Sequence, residues 1–132
     1  MSIADRDFIL RLIRQLAAAL AIIVGKRSAG DLDGARRELE RTRDTIFGPI
    51  ASSLPMLDAT AIASLLGEEK ARVYARLMSV EADLCDDRGD AAAARTCRRR
   101  ARAVLSALPP AGAEWDDAQL GGLADESPAV RR

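Results

Sequence analysis

Apolar and polar positions alternate along most of this chain with the period of an α-helix. Apolar residues recur every three or four positions in four long segments, about 5–27, 32–47, 68–88 and 90–108, and in a short segment between Asp58 and Gly67. This spacing places the apolar side chains on one face of each helix. The pattern therefore predicts an all-α protein with about four main helices and one short connector helix.

Two corners between these helices carry the same residues. Gly30-Asp31 and Gly89-Asp90 each follow one apolar segment and precede the next. Glycine adopts the left-handed conformation that ends a helix, and aspartate caps the helix that follows. A small residue comes one turn later, Ala35 in the first case and Ala94 in the second, and lets two helices approach closely. We therefore expect antiparallel helical hairpins.

The second half of the first helix is apolar on every side from Leu16 to Val24. A helix without a polar face has to be covered on more than one side, either by the rest of the domain or by a second copy of the chain. The corresponding self-interface of a homodimer would comprise Leu16, Leu20, Ile23 and Val24. The sequence leaves both alternatives open.

The helix over 68–88 has a narrow polar stripe between two apolar faces. At 100° per residue, Arg72, Arg76, Ser79 and Asp83 fall on one line, with apolar residues on either side. We expect this helix to be central. The helix over 90–108 is followed by Pro109-Pro110, so we predict one domain over 1–108. Residues 109–132 form a Pro-, Gly- and Asp-rich tail anchored by Trp115, with its last ten or so residues disordered.

The amino-acid composition limits the classes of function that we expect of this protein. The 20 basic and 20 acidic residues cancel, so net charge favours neither nucleic acid nor a membrane surface. The chain has no histidine, the commonest general base and metal ligand. It has no phosphate-binding loop, dinucleotide fingerprint or nucleophile motif. These observations predict a non-enzymatic protein without a cofactor, metal or evident small-molecule ligand.

The two cysteines, Cys85 and Cys97, are too few for a disulfide framework and predict a cytoplasmic protein with buried free thiols. A redox pair is the alternative. A signal peptide was the competing interpretation of the apolar run at 16–24, which follows Arg6, Arg11 and Arg14. Acidic residues in the same region and the lack of a cleavage site argue against it, and the run is too short to span a bilayer.

Two further features carry candidate chemistry. Glu81 lies on the apolar side of the central helix, so it is either an acid with a raised pKa or, as we favour, half of an ion pair with an arginine of the first or last helix. Arg95, Arg99 and Arg102 form a basic stripe on the last helix that would suit the phosphates of a nucleic acid or an acidic protein tail. A solvated face is the simpler interpretation, because aromatic residues for base stacking are absent.

The segment 78–108 resembles a tetratricopeptide-type helical hairpin, with small Ala82 before the turn at Gly89-Asp90 and small Ala94 and Ala101 after it. The segment 19–42 matches through Gly30-Asp31, Ala35 and Thr42. The opening segment 7–16 is similar to the start of an uncharacterised family of small bacterial helical proteins, which implies no known activity.

The tetratricopeptide resemblance implies a protein-binding module whose central helix lines a concave face. The residues expected to contact the partner are Arg76, Ser79, Asp83, Asp86 and Asp87. The partner would be another protein or a second copy of the chain. A nucleic-acid-associated protein using the helix over 90–108 is the alternative function.

Overall fold

The computed structural model describes residues 2–116. They form five α-helices: α1 (Ile3–Ser28), α2 (Leu32–Phe47), α3 (Ala59–Leu66), α4 (Glu68–Asp87) and α5 (Ala91–Ser106). There is no strand in this part of the chain, so the prediction of an all-α protein with four main helices and one short helix is confirmed. The predicted disorder of the last ten residues falls outside the described residues.

The two Gly-Asp corners have the same geometry. Gly30 and Gly89 are left-handed, with φ of 78° and 82°. The following backbone N–H closes the preceding helix in both corners, from Asp31 to the Lys26 carbonyl at 2.8 Å and from Asp90 to the Cys85 carbonyl at 2.9 Å. Each aspartate also accepts from the backbone N–H three residues later. The corners therefore join α1 to α2 and α4 to α5 as the sequence predicts.

α4 is the central helix and contacts the other four. More than half of its residues are buried, and Val73 and Leu77 are completely inaccessible to solvent. The core around it consists of Leu, Ile, Val and Ala with few aromatic side chains; Phe47 and Tyr74 meet edge to face with ring centroids 5.9 Å apart. Alanines on α4 and α5 let these two helices pack closely.

The connector between α2 and α3 consists of two 3₁₀ turns, Gly48–Ser52 and Leu54–Met56. Each has a proline in its first turn, where the missing N–H has no cost. Asp58 then caps α3 through the N–H of Ala61 at 2.8 Å, and left-handed Gly67 ends it. The predicted short helix and both of its boundaries are confirmed.

The packed unit extends beyond residue 108, the predicted end of the domain, and α1 begins two residues before its predicted start at about residue 5. α1 starts at Ile3 because the Ser2 hydroxyl accepts from the N–H of Asp5 at 3.1 Å. After α5, Trp115 is 4% exposed and belongs to the core, and its indole N–H donates to Glu69 at 2.8 Å. Its expected role as an anchor is confirmed, and the first residues of the tail are part of the folded domain.

Candidate binding surfaces

The polar stripe of α4 faces α5 and does not line an open concave face. Ser79 is only 4% exposed and lies beside Arg98, Ala101 and Leu105 of α5. Arg72 is equally buried and donates to Glu68 and to the carbonyl of Pro109. The prediction that Ser79 contacts a partner is therefore wrong, because α5 covers this side of the helix.

The remaining residues of the predicted partner surface make contacts with other residues of the same chain. Arg98 of α5 binds Asp83 at 2.9 Å and Asp86 at 2.8 Å. Asp87 receives a hydrogen bond from Arg27 that holds the pKa of its carboxyl below the usual value. Arg76 is half-buried and also has a partner. These side chains join helix ends to one another, so they already have the contacts that a binding partner would have to replace.

Glu81 is paired with two arginines of α2. Arg36 donates to it at 3.1 Å, and Arg43 donates to its other carboxylate oxygen. Burial raises the pKa of Glu81, but the charges and hydrogen bonds of Arg43 and Arg36 outweigh it, and the pKa lies below its ordinary value. The predicted ion pair is present, but the expectation that its arginine comes from the first or last helix is wrong. Glu81 is thus held ionised and does not act as an acid with a raised pKa.

The two cysteines are free thiols at the packed face between α4 and α5. Cys97 is 8% exposed and Cys85 is half-buried. Burial, followed by the negative charge of Glu81, raises the pKa of Cys97 to about 11. A thiol with so high a pKa is a poor nucleophile at neutral pH, which favours the core-packing interpretation of Cys97 over the redox pair.

The proposed self-interface on α1 is largely inside the protein. Leu16, Leu20 and Ile23 are 0%, 8% and 1% exposed, because α2 and α4 pack on this side of the helix. Of the two alternatives that the sequence leaves open for these three residues, the structure therefore has the first, in which the rest of the domain covers them. Val24 is 56% exposed and is the one residue of the four that faces solvent. The domain itself therefore covers one side of the apolar run.

The opposite face of α1 exposes other apolar residues. Four of the six exposed large apolar side chains in the described residues lie on this helix: Ile3, Phe8, Ile22 and Val24. Ile22 and Val24 lie on either side of a line of three small residues, Ala18, Ala21 and Gly25. We call these five residues the outer face of α1. A groove of about 160 Å³ runs from Ile22 towards Glu38 and Arg41 of α2.

α1 is also long and apolar enough to cross a membrane by length and composition, with a mean hydropathy of 1.9 in its most apolar window. Inside this fold 39% of that window is buried. Core helices of globular domains and signal sequences can both meet this criterion of length and composition. The packing of Leu16 and Ile23 in the core accounts for part of the apolar character of α1, and Ile22 and Val24 remain exposed.

The five arginines of α5 divide into two groups. Arg98 and Arg100 lie beside the buried face; Arg100 donates to the Tyr74 hydroxyl at 2.9 Å and to the carbonyls of Leu54 and Leu57. The other three, Arg95, Arg99 and Arg102, are exposed and make no hydrogen bond or ion pair with the described residues. Sequence reasoning missed Arg100. Periodicity alone does not separate it from exposed Arg102, since the two residues lie about 100° on either side of buried Ala101.

No group of three or more His, Cys, Asp or Glu side chains in residues 2–116 is placed to hold a metal ion. The chain matches no family model, no curated protein and no solved structure. Any functional proposal for this chain therefore rests on the exposure, shape and charge of its surfaces.

Proposed function

We propose that this protein is a non-enzymatic helical module that binds another protein, or a second copy of itself, through the outer face of α1. The observation that carries the proposal is the exposure of Ile22 and Val24, at 45% and 56%, on either side of a line of small residues. Exposed apolar side chains grouped on one helix are typical of protein contact surfaces. This surface replaces the one predicted on α4, whose side chains are used internally.

The shape of this face suits a partner helix. Ala18, Ala21 and Gly25 leave a shallow trough between two β-branched side chains, so another helix can approach closely and pack against both. Glu38 and Arg41 pair with each other at 2.7 Å on the neighbouring rim. A polar rim around an apolar centre is the usual arrangement of a protein interface.

We also propose that the two hairpins make the domain tetratricopeptide-like and that it acts in the cytoplasm. The shared geometry of the corners at Gly30 and Gly89 supports the first point. The free thiols of Cys85 and Cys97 support the second, because reducing compartments preserve free thiols.

A nucleic-acid-associated protein is the second candidate function. Its support is the exposure of Arg95, Arg99 and Arg102, which have no partner among residues 2–116. Stacking of bases would require exposed aromatic rings near this stripe, and Tyr74 and Trp115 are buried. We therefore favour protein binding.

Site-specific photo-crosslinking tests the proposed function. A photoreactive residue at position 22 should give one defined crosslinked product in cells, identified by mass as a second copy or a single other protein. The matched control carries the same group at Leu65, which is similarly exposed at 54% but lies on α3. Val24→Glu should remove the product from position 22, whereas Met56→Glu should leave it. The same products from both positions, or none from position 22, would contradict the proposal.

A further inference from the structure

We propose that the outer face of α5 binds an acidic peptide segment of another protein through Arg95, Arg99 and Arg102. These residues, called the α5 arginine stripe below, lie on a different helix from the outer face of α1. The inference therefore goes beyond the proposed function and is tested independently of it.

The first argument is the division of arginines on α5. Arg98 is neutralised by Asp83 and Asp86, and Arg100 donates to Tyr74 and to two backbone carbonyls. The three arginines of the stripe have no such acceptors among the described residues. Their donors are free to bind carboxylates, and a guanidinium can do so through two parallel hydrogen bonds.

The second argument is that α5 itself has no acidic residue to neutralise the α5 arginine stripe. The sequence of α5, Ala91–Ser106, contains no aspartate or glutamate. An acid three or four residues away on the same helix would pair with such arginines, and α5 has none. The nearest acids on α4, Asp83 and Asp86, bind Arg98 on the flank of the helix. The stripe is thus a local positive surface on a chain whose net charge is zero.

The third argument is spacing. On a regular helix the stripe falls within an arc of about 60°, with axial steps of roughly 6 Å and 4.5 Å between successive arginines. Alternate residues of an extended peptide lie about 6.6 Å apart on the same side. Small neighbours on the same exposed surface, Ala92, Thr96 and Ala103, leave room for a peptide backbone to lie along the helix. A segment with three nearby carboxylates therefore matches the stripe.

A nucleic acid fits this surface less well than a peptide. Phe47, Tyr74 and Trp115 are buried, at 7%, 2% and 4% exposure, so they offer no stacking platform beside the stripe. Phe8 is partly exposed, but it lies on α1. Carboxylates require only the guanidinium donors that are present.

Fluorescence anisotropy with labelled octaglutamate at low ionic strength tests the proposal. The full chain should bind this peptide, and Arg95→Gln, Arg99→Gln and Arg102→Gln together should weaken binding about tenfold, as expected for the loss of three exposed ion pairs. The matched control removes the same number of charges from α1 and α2, with Arg11→Gln, Arg14→Gln and Arg37→Gln. These arginines are exposed and have no partner in the part of the chain that the structure describes. The control should change the affinity by no more than about twofold.

Three results would overturn the proposal: no binding of octaglutamate by the unmodified chain, equal losses in the two triple variants, or tighter binding of a single-stranded oligonucleotide of the same charge. The last result would assign the stripe to nucleic acid. Circular dichroism shows whether both variants keep the helical fold, which is expected because the substituted side chains are exposed. Because none of these residues belongs to the outer face of α1, the crosslinking result from position 22 is not affected by either outcome.

Discussion

Arg27 at the end of α1 and Asp87 at the end of α4 form an ion pair with two hydrogen bonds. Nε of Arg27 donates to one carboxylate oxygen at 2.6 Å and Nη2 donates to the other at 3.2 Å. The hydrogen bond that Arg27 donates to Asp87 also raises the pKa of Arg27 above its ordinary value. Sixty residues apart in sequence, the two side chains tie the first hairpin to the second.

A double-mutant cycle measures the contribution of this pair. Arg27→Gln, Asp87→Asn and the combined variant should give a coupling energy of about 0.5–1 kcal/mol in urea denaturation, because both partners are partly solvated. The coupling should fall in high salt, which screens exposed charges. Asp33 and Arg88, paired at 3.2 Å but more exposed, serve as the control pair, for which we expect a smaller coupling. Equal couplings would mean that the geometry of the Arg27–Asp87 pair adds nothing.

Replacing Glu81 should destabilise the fold more than replacing any surface acid. Glu81 is 19% exposed and neutralises both Arg36 and Arg43. Glu81→Gln removes this carboxylate from Arg43 and leaves Arg36 only its longer pair with exposed Glu40. We expect a loss of about 2 kcal/mol in the free energy of unfolding. The control is Glu40→Gln, since Glu40 is 60% exposed and pairs with the same Arg36 at 3.7 Å. A loss as small as that of the control would show that Glu81 is dispensable for the packing of α2 on α4.

The ion pairs of Glu81 with Arg36 and Arg43 also predict how the stability of the fold depends on pH. The pKa of Glu81 is lower in the folded protein than its ordinary value, so its contribution is complete above that ordinary value and disappears as the pH falls through the folded pKa. The unmodified chain and Glu81→Gln should therefore differ in stability near neutral pH and converge in strong acid. Urea denaturation at a series of pH values measures this. A constant difference down to the lowest pH would contradict the assignment.

The hairpin corners and the central helix could be predicted from sequence because they depend on local chemistry. Glycine and aspartate at each corner fix the backbone, and the two apolar faces of α4 require burial. The partner of Glu81 could not be predicted in this way. Which arginine meets it depends on the rotation of α2 against α4, and α2 has candidate arginines on several of its faces.

The polar stripe on α4 also shows that the sequence does not reveal which helix packs against a given face. Arg72 and Ser79 have polar side chains, and periodicity alone assigns them to a solvent-facing surface. In the structure both side chains are buried. Arg72 donates to the carbonyl of Pro109, which follows α5, and Ser79 lies beside Ala101 of α5. Polar residues that are satisfied internally look identical in sequence to polar residues that bind a partner.

Arg100 should be sensitive to a change that keeps its charge. Its guanidinium bridges the Tyr74 hydroxyl and the carbonyls of Leu54 and Leu57, which fixes the connector to α5. Lysine has no planar fork and cannot bridge several acceptors in this way. Arg100→Lys should therefore cost about 1–2 kcal/mol in the free energy of unfolding. Neighbouring Arg99 is exposed and has no partner within the described part of the chain, so Arg99→Lys should stay within about 0.5 kcal/mol. Equal effects would contradict this role of Arg100.

The two thiols should react at different rates with an alkylating agent. The pKa of Cys97 is raised to about 11 from an ordinary value of 9.0, so at a given pH near 8 its thiolate is about a hundredfold rarer than that of an unperturbed thiol. Cys97 is also buried, whereas Cys85 is half-buried. In iodoacetamide labelling followed by mass spectrometry, Cys85→Ser should therefore react much more slowly than Cys97→Ser. In urea the two variants should react at similar rates, because unfolding removes the burial that raises the pKa of Cys97. Fast labelling of Cys97 in the folded chain would contradict its position in the core and restore a chemical role for the pair.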